Sequence, residues 1–462
     1  MAETICIDFG STYTKMAVLD LDSSSVILTA RKPSTVSTDA SIGLLENLRE
    51  AEKAIGKSGV ENARILASSS AAGGLRMVVV GLTDHFSLLA GTNTALGAGA
   101  RVTGTFSGLL SDEDIRSIEQ QDPEILLLCG GVEGGNTDRI WHNAEALAAA
   151  KLHGYLVYAG NQEIAADVRE LFLRSHKECF LADNIFPDLD TLNAGPASEV
   201  IRSLFMQRIT GMKGLSGVTG ITGQVIMPTP AAVLQAGRVF AGKLKENGSS
   251  DGVMIFDAGG ATTDVYSFAE TRPGEGVRVI GSPEPYQRRT VEGDLGLRSS
   301  ALSLLSKAGE GHIAEGWELD GDWMRARCGY RTEHSAYVAD SPADRTLDQH
   351  LAEAAVYMSA RRHAGHIENA WTKGAAEIQE GKDLRCVDTI VGTGGPIIFA
   401  ADPEAVLSRA LRQEKERQVL LPDHASFLFD RKYLLFAVGL ASLVNKESAA
   451  EIAVRNLTHL EE

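Results

Sequence analysis

Residues 6–15 read CIDFGSTYTK, and residues 255–264 repeat the pattern as IFDAGGATTD. The two stretches align without a gap at an offset of 249 residues, which relates Asp8 to Asp257 and Gly10 to Gly259. In each copy an apolar run ends at the Asp, a turn of Gly and small residues follows, and a second apolar run begins after a Thr. Short apolar runs joined by such a turn are typical of a β-hairpin. The repeat therefore predicts two equivalent strand–turn–strand units in one chain.

The composition of both turns is typical of a phosphate-binding loop. Glycine lets the backbone approach an oxyanion closely, the N–H groups of the turn point inward, and hydroxyl side chains add neutral donors. A carboxylate repels phosphate, so we expect Asp8 and Asp257 to act through Mg²⁺ or its bound water, as metal ligands and catalytic residues. A single D-x-G is a common β-turn, but two collinear copies favour function. The residues expected to bind the cofactor are Gly10, Ser11, Thr12, Tyr13, Thr14 and Lys15 in the first loop and Gly259, Gly260, Ala261, Thr262 and Thr263 in the second.

A third glycine-rich motif follows the apolar pair Ile390-Val391. It consists of Gly392, Thr393, Gly394 and Gly395. Glycines at the end of a strand allow a base or ribose to lie against bare backbone. The motif lacks the G-x-G-x-x-G spacing of a dinucleotide site, so it is a weak signal by itself. Its position after the two phosphate loops favours a role in nucleotide binding. We therefore expect these four residues to bind the adenosine part of a nucleotide.

An acidic turn, Glu292-Gly293-Asp294, lies about thirty residues after the second loop. Either carboxylate can orient an attacking water or hold a metal, so we count Glu292 and Asp294 as candidate catalytic residues. Asp294 can also be the N-cap of a helix that starts at Leu295. The two interpretations are compatible, because a helix N-terminus also favours phosphate.

The rest of the chain alternates apolar runs with helical patterns. From about residue 76 to 210 this alternation predicts a parallel sheet with helices, inserted as a subdomain. We also expect helices over residues 43–58, 294–310 and 345–380, and a flexible glycine-rich loop at 210–224.

The composition argues against several classes of function. The chain has 462 residues and 44 Lys+Arg against 61 Asp+Glu, so its formal net charge is −17. Such an acidic balance argues against nucleic acid or an anionic membrane as a partner. No uninterrupted apolar run approaches the ~18 residues of a membrane span. The five cysteines stand far apart, as expected in a reducing cytosol. We expect a cytoplasmic protein, with a homo-oligomer as an open possibility.

Taken in order, the motifs resemble those of the superfamily of actin, sugar kinases and heat-shock ATPases. This resemblance places phosphate-1 at 8–15, phosphate-2 at 257–264 and the adenosine motif at 391–396. It implies an α/β, two-lobed, duplicated ribonuclease-H-like (actin-like ATPase) fold that binds ATP and Mg²⁺ as a Mg-dependent ATPase. The implied domains are lobe I at 1–225 plus 430–462, with the inserted α/β subdomain at about 76–200, and lobe II at 226–429.

More narrowly, the chain resembles the MutL/GlmL family, which is encoded beside adenosylcobalamin-dependent glutamate mutase and related aminomutases. Residues 8–15, 67–77, 129–136, 290–296 and 392–395 carry this resemblance. It implies an accessory chaperone that reactivates a cobalamin-dependent mutase by nucleotide-driven lobe movement, so that intact cofactor replaces damaged cobalamin. The expected partners are the mutase subunits. The cobalamin-binding pattern D-x-H-x-x-G is absent from the sequence, so the partner is expected to hold the cobalamin.

Three other functions are compatible with the same nucleotide-binding motifs. A small-molecule kinase needs a general base, for which Asp183 or Asp188 can be nominated. An actin-like scaffold would use nucleotide to control assembly. An activator of a radical dehydratase would need paired cysteines for a cluster, which the scattered cysteines do not favour.

Overall fold

The structure is a computed structural model that describes residues 3–10, 13–35, 40–70, 76–188, 191–210, 225–271, 274, 276–280, 284–310, 317–369 and 377–460. The chain divides into two compact units. Unit 1 consists mainly of Met1–Leu19 and Ile27–Ala232, and unit 2 mainly of Asp20–Val26, Val233–Ile280 and Glu284–Glu462. The limits of the lobes remain a sequence-based prediction.

The strands and helices are numbered along the chain. The strands are β1 (Thr4–Phe9), β2 (Tyr13–Asp20), β3 (Ser25–Pro33), β4 (Arg64–Ser69), β5 (Arg76–Gly81), β6 (Arg101–Ser107), β7 (Ile125–Gly130), β8 (Tyr155–Gly160), β9 (Cys179–Leu181), β10 (Val225–Pro228), β11 (Val253–Ala258), β12 (Thr263–Phe268), β13 (Val277–Ile280), β14 (Gln287–Glu292), β15 (His366–Asn369), β16 (Glu377–Glu380), β17 (Thr389–Thr393) and β18 (Ser426–Phe429). The helices are α1 (Ala40–Asn62), α2 (Leu89–Gly97), α3 (Asp112–Gln121), α4 (Asp138–Ala149), α5 (Ala165–Arg174), α6 (Gly195–Thr210), α7 (Thr229–Glu246), α8 (Ala301–Glu310), α9 (Gly321–Glu333), α10 (Pro342–His363), α11 (Gly395–Ile398), α12 (Pro403–Ser408), α13 (Leu435–Ala441) and α14 (Lys446–Asn456).

Two of the sheets have the same construction. The first has the order β10-β4-β1-β2-β3, and the other, read in the opposite direction, has the order β18-β17-β11-β12-β14. In both, the first strand pairs antiparallel with the next strand of the chain and parallel with a later one. Asp8 lies opposite Lys15, and Asp257 lies opposite Asp264, so the sequence offset of 249 is also the offset in strand register. The duplicated ribonuclease-H-like (actin-like ATPase) fold predicted from the sequence is confirmed.

The inserted α/β subdomain is a third sheet with the order β6-β5-β7-β8-β9. All its strand pairs are parallel. Both sides of β5 and β7 are buried, which explains their unbroken runs of Val, Ile and Leu. One side of this sheet shares a core with the first sheet, whereas α4 and α5 cover the other side with residues such as Ile140 and Phe172. The order 2-1-3-4-5 is that of a doubly wound fold.

The structure corrects two of the expected helices. The segment from 294 does not form a helix until Ala301, because Leu297 N donates to Gly259 O at 3.1 Å and Arg298 N to Gly260 O at 2.7 Å. The expected helix over 345–380 ends at His363. Beyond it, Gly365 N donates to Lys382 O at 2.7 Å, and β15 pairs antiparallel with β16.

The predicted helix over 43–58 and the predicted loop at 210–224 have different outcomes. A helix does cover residues 43–58, although Gly56, with a φ of 75°, interrupts it. The expected flexible loop at 210–224 lies, apart from its first residue, outside the described residues.

Candidate functional site

Asp8, an ionisable residue near the end of β1, is buried. It is 1% exposed. Ser68 on β4 donates a hydrogen bond to its Oδ1 at 3.1 Å, Thr229 at the start of α7 donates another to the same atom, and Lys15 Nζ lies 3.9 Å from Oδ2. Burial raises the pKa of Asp8, whereas Lys15, Thr229 and Ser68 act to lower it. The carboxylate is therefore fixed in orientation by groups from three elements.

The two loops close in the same way. Gly10 N donates to Tyr13 O at 3.1 Å, and Gly259 N donates to Thr262 O at 2.9 Å. A β-carbon on Gly10 would stand 2.6 Å from Tyr13 O, so this turn requires glycine. Ser11 and Thr12 lie outside the described residues, and their expected role stays a prediction.

The second threonine of each loop points into the protein. Thr14 and Thr263 are fully buried. Thr263 Oγ1 donates to Leu295 O at 2.8 Å, and a β-carbon on Gly43 of α1 would stand 3.0 Å from Thr14 Oγ1. These contacts give both residues a packing role, which the repeat pattern did not reveal.

The residue opposite the loop aspartate differs in charge between the two copies. Opposite Asp8 it is Lys15, and opposite Asp257 it is Asp264. Two carboxylates directly across a strand pair repel one another. In the second copy Arg289 compensates, because its Nη2 lies 2.6 Å from Asp264 Oδ1, and Thr262 Oγ1 donates to Asp264 Oδ2 at 3.1 Å. Electrostatically, the two loops are therefore not interchangeable.

The adenosine motif lies beside the second loop within unit 2. Gly394, with a φ of 88°, connects β17 to α11, and a β-carbon there would stand 2.1 Å from Ala258 O and 2.9 Å from Asp257 Oδ1. Thr393 Oγ1 donates to Asp430 Oδ2 at 3.2 Å. Gly392 packs on Ile397 of α11, where a β-carbon would stand 2.7 Å from Cγ2. Two motifs that are more than a hundred residues apart in sequence thus meet at the ends of neighbouring strands.

Two aromatic rings flank the last glycine of this motif. Phe399 is 66% exposed, and its ring centroid lies 6.5 Å from that of Tyr433. A β-carbon on Gly395 would have Tyr433 Oη at 3.9 Å and Phe399 Cδ2 at 4.0 Å, so all three residues border one space. Tyr433 has a φ of 54°, and Asp430 holds the turn by accepting hydrogen bonds from Leu434 N and Leu435 N.

The acidic turn is held by a cation that the sequence did not reveal. Arg362 Nη1 lies 2.5 Å from Glu292 Oε2 and 2.9 Å from Asp294 Oδ1, and Nη2 lies 3.0 Å from Asp294 Oδ2. Burial raises the pKa of Glu292, and Arg362 opposes this rise. For Asp294, burial acts upward, but hydrogen bonds from Arg362 and its charge leave the pKa lowered. The interpretation of Asp294 as a helix N-cap is wrong, because α8 begins only at Ala301.

Arg362 is itself placed by the residue that follows it. His363 is buried, with Nδ1 2.8 Å from Thr290 Oγ1 on β14 and Nε2 2.8 Å from Ser267 Oγ on β12. Burial holds the pKa of His363 well below its usual range, so the ring is neutral. The end of α10 is thereby fixed to two strands, and Arg362 reaches the acidic turn from this fixed position.

Several residues of these sites were not identified from the sequence, among them Ser68, Thr229, Arg362 and Asp430. Ser68 belongs to the serine run that marks the family resemblance, and its pairing with Asp8 follows from the register of β4 beside β1. Asp430 follows β18 and precedes a helix, which is a capping signal. Thr229 and Arg362 gave no local signal, because their partners lie 221 and about 70 residues away.

The remaining candidates lie elsewhere. Asp183 and Asp188, nominated as kinase bases, are exposed residues after β9 of the inserted sheet.

Among the described residues, no group of three or more His, Cys, Asp or Glu side chains is arranged to hold a metal. Within the described part of the chain, we find no helix with the length and hydropathy needed to cross a bilayer.

Comparisons with known proteins show which proteins this chain is similar to. A family model described as "MutL protein" matches residues 4–457. "Protein MutL" from Clostridium tetanomorphum is 36% identical over 456 residues, which is 98% of each chain. Among solved structures, nucleotide-free acetone carboxylase is similar over 95% of this chain and 70% of its own, with 13% identity and a TM-score of 0.42. The activator of 2-hydroxyisocaproyl-CoA dehydratase from Clostridium difficile with bound ADPNP is similar over 99% of both chains, with 10% identity and a TM-score of 0.29.

Proposed function

Because the chain belongs to the MutL protein family, we propose that it is a Mg²⁺-dependent ATPase that reactivates an adenosylcobalamin-dependent mutase, either glutamate mutase or a related aminomutase. The observation that carries the nucleotide part is the duplicated Asp-x-Gly hairpin, which recurs with the same turn hydrogen bond and the same strand register. The mutase part is supported by the family resemblance. The cobalamin belongs to the partner, since the chain has no D-x-H-x-x-G motif.

The residues present fit Mg·ATP. Magnesium is usually held by one or two carboxylates together with phosphate oxygens and water, and it does not need a cluster of protein ligands. Asp8 and Asp257 supply such carboxylates, and the N–H groups of the Gly10 and Gly259 loops supply donors to phosphate oxygens. When bound, Mg²⁺ neutralises charge that develops on the phosphates. The hydrogen bonds from Ser68 and Thr229 keep the Asp8 carboxylate in one orientation for this task.

In the space that Gly395, Phe399 and Tyr433 border, the base of the nucleotide would lie over Gly395 and stack on Phe399. This space is bordered by bare backbone and two rings, which suits a flat heterocycle. Stacking of a base on an aromatic side chain contributes about 1–3 kcal/mol. Phe399 is largely exposed, so its ring is accessible to a base.

The acidic turn positions the attacking water. Arg362 occupies Oε2 of Glu292, which leaves Oε1 as the atom that accepts a proton from water. Arg362 favours the ionised form of this carboxylate and thereby maintains the base. Asp294 shares the same guanidinium and holds it in place.

ATP binding and hydrolysis then change the conformation of the protein, and this change releases damaged cobalamin from the mutase. The test uses purified glutamate mutase inactivated with hydroxocobalamin, mixed with the protein, Mg·ATP and fresh adenosylcobalamin. We expect hydroxocobalamin to appear in the filtrate and mutase activity to return. Neither should occur with a non-hydrolysable ATP analogue or with the Asp257→Asn variant. Recovery that is equal with and without the protein would contradict the proposed function.

A further inference from the structure

A groove on the inserted subdomain has no role in the proposed ATPase. It lies between α4 and α5, which follow the neighbouring parallel strands β7 and β8, and its volume is about 490 Å³. Trp141, Ile164 and Leu171 contribute apolar surface to it. Each of these three side chains packs on the core of the subdomain and is only partly buried. The groove therefore presents an apolar floor that the subdomain itself leaves uncovered.

The rim of this groove is acidic. Asp138, Asp167 and Glu170 line it, and all three are exposed. The cation that lines it is Arg174, which forms an ion pair with Glu170 one turn earlier on α5. Two carboxylates of the rim, Asp138 and Asp167, are thus not balanced by a cation of the groove lining. The rim favours an occupant that carries positive charge.

The shape favours a protein segment over a small molecule. Small-molecule sites bury about 70–90% of their ligand, whereas half of the residues that line this groove are exposed and the other half are only partly buried. A groove between two helices with an apolar floor accepts a side chain of a docked segment. Tryptophan is one of the residue types enriched among the few residues that dominate such interfaces.

We propose that the groove between α4 and α5 docks a segment of the mutase that places one apolar side chain on Trp141 and Lys or Arg side chains against Asp138 and Asp167. This inference rests on the proposed function, because it assigns a docking surface to the partner named there. It gives the inserted subdomain the task of partner recognition and leaves nucleotide chemistry to the duplicated sheets. Charge pairing would accelerate the encounter, and the apolar contact would prolong the complex.

The test compares two variants with equal charge changes. The groove variant is Asp138→Asn, Asp167→Asn and Glu170→Gln. The control variant is Glu113→Gln, Glu145→Gln and Glu178→Gln, three exposed positions on the same subdomain that do not line the groove. Binding to immobilised glutamate mutase is measured at low and high salt, together with the basal ATPase rate and the melting temperature of each variant.

We expect the groove variant to bind about tenfold more weakly at low salt, with a difference that shrinks at high salt. The control variant should bind within about twofold of the unmodified protein. Trp141→Ala should weaken binding by about tenfold at both salt concentrations. The basal ATPase rate should not change in any variant.

Equal binding by the groove variant and the unmodified protein would overturn the docking site and leave the reactivation proposal intact. Equal losses in the groove and control variants would also overturn it, because they would indicate a general charge effect. If the unmodified protein does not bind the mutase in any nucleotide state, the proposed partner is wrong, and this docking assignment fails with it.

Discussion

The carboxylate of Asp257 lies against Gly394: a β-carbon on that glycine would stand 2.9 Å from Asp257 Oδ1. This contact joins the end of β11 to the end of β17, which are parallel neighbours. It brings the second phosphate loop and the adenosine motif together within unit 2. The proposed nucleotide site in this unit depends on that contact, because any side chain at position 394 would separate the two motifs.

Gly394→Ala should therefore destabilise the protein, whereas Gly395→Ala should not. The backbone at Gly394, with φ 88° and ψ 148°, lies in a region that is essentially restricted to glycine and costs another residue about 1–3 kcal/mol. The added carbon would also meet Ala258 O at 2.1 Å. At Gly395 the nearest atom is 3.9 Å away. Urea unfolding of both variants measures the difference. Equal unfolding midpoints for the two variants would contradict the contact between Asp257 and Gly394.

Asp8→Asn should abolish Mg-dependent turnover and raise stability at neutral pH. Because burial raises the pKa of Asp8 in the folded state, ionisation of this group destabilises the fold as pH rises above its unfolded pKa. The stability gain of the variant should thus be largest at pH 7.5 and shrink toward pH 4.5. Melting temperatures across this range, with ATPase rates at pH 7.5, check both parts.

Asp20→Asn is the matched control for this effect. Its carboxylate accepts hydrogen bonds from Asp22 N and Ser23 Oγ, and these bonds lower the pKa of Asp20. The stability that Asp20 contributes is present above its unfolded pKa and is lost as pH falls through its folded pKa. This variant should therefore lose stability at pH 7.5 and approach the unmodified protein at low pH. The same sign in both variants would contradict the buried, ionised state assigned to Asp8.

Glu292→Gln should lower ATP turnover by about 100-fold, as expected for the loss of a general base.

Arg362→Gln should lower the ATPase rate mainly on the acidic side of the pH profile. Without the guanidinium, burial of Glu292 is opposed less, its pKa rises, and the ionised base is lost at a higher pH. The rate of this variant should fall more between pH 8 and pH 6 than that of the unmodified protein. Arg362→Lys keeps the positive charge, so its pH–rate profile should differ less from that of the unmodified protein. If the pH–rate profile of Arg362→Gln runs parallel to that of the unmodified protein, Glu292 is not the base.

Phe399→Ala should weaken ATP binding by about 5–150-fold, which corresponds to the loss of one base stacked on an aromatic ring. Binding of inorganic tripolyphosphate, which has no base, should not change. Tyr330→Ala, which removes a ring with 40% exposure on α9, serves as the control. Calorimetric titration with both ligands separates the base from the phosphates. An equal loss for ATP and tripolyphosphate would contradict the position proposed for the base.

The sequence predicted the features that repeat or alternate locally. The offset of 249 residues between Asp8 and Asp257 was sufficient to predict equivalent hairpins. Side chains alternate between the two faces of a sheet with a period of two, so a gapless repeat places corresponding residues on corresponding faces. The parallel sheet of the inserted subdomain followed from buried apolar runs such as that of β7. These features depend on neighbours in sequence or on an internal copy.

The features that the sequence did not predict depend on distant packing. The helical pattern after Asp294 gives way to a turn because Gly296 packs on the second loop, where a β-carbon would stand 2.4 Å from Ala261 O. The helix that contains Arg362 ends at His363 because the following glycine pairs with the segment after β16. The side-chain hydrogen-bond donors to Asp8 and to Glu292 lie between 60 and 221 residues away. No local pattern encodes such pairs.

The central claim is that this chain binds Mg·ATP through its duplicated loops. The most direct measurement is a thermal melt of the unmodified protein and of Asp257→Asn, each without nucleotide, with Mg·ADP and with Mg·ATP. A ligand at 100 times its Kd stabilises the native state by about 2.7 kcal/mol. The account predicts a clear rise in melting temperature with Mg·ATP for the unmodified protein and a much smaller rise for the variant. An unchanged melting temperature for the unmodified protein at millimolar Mg·ATP would contradict it.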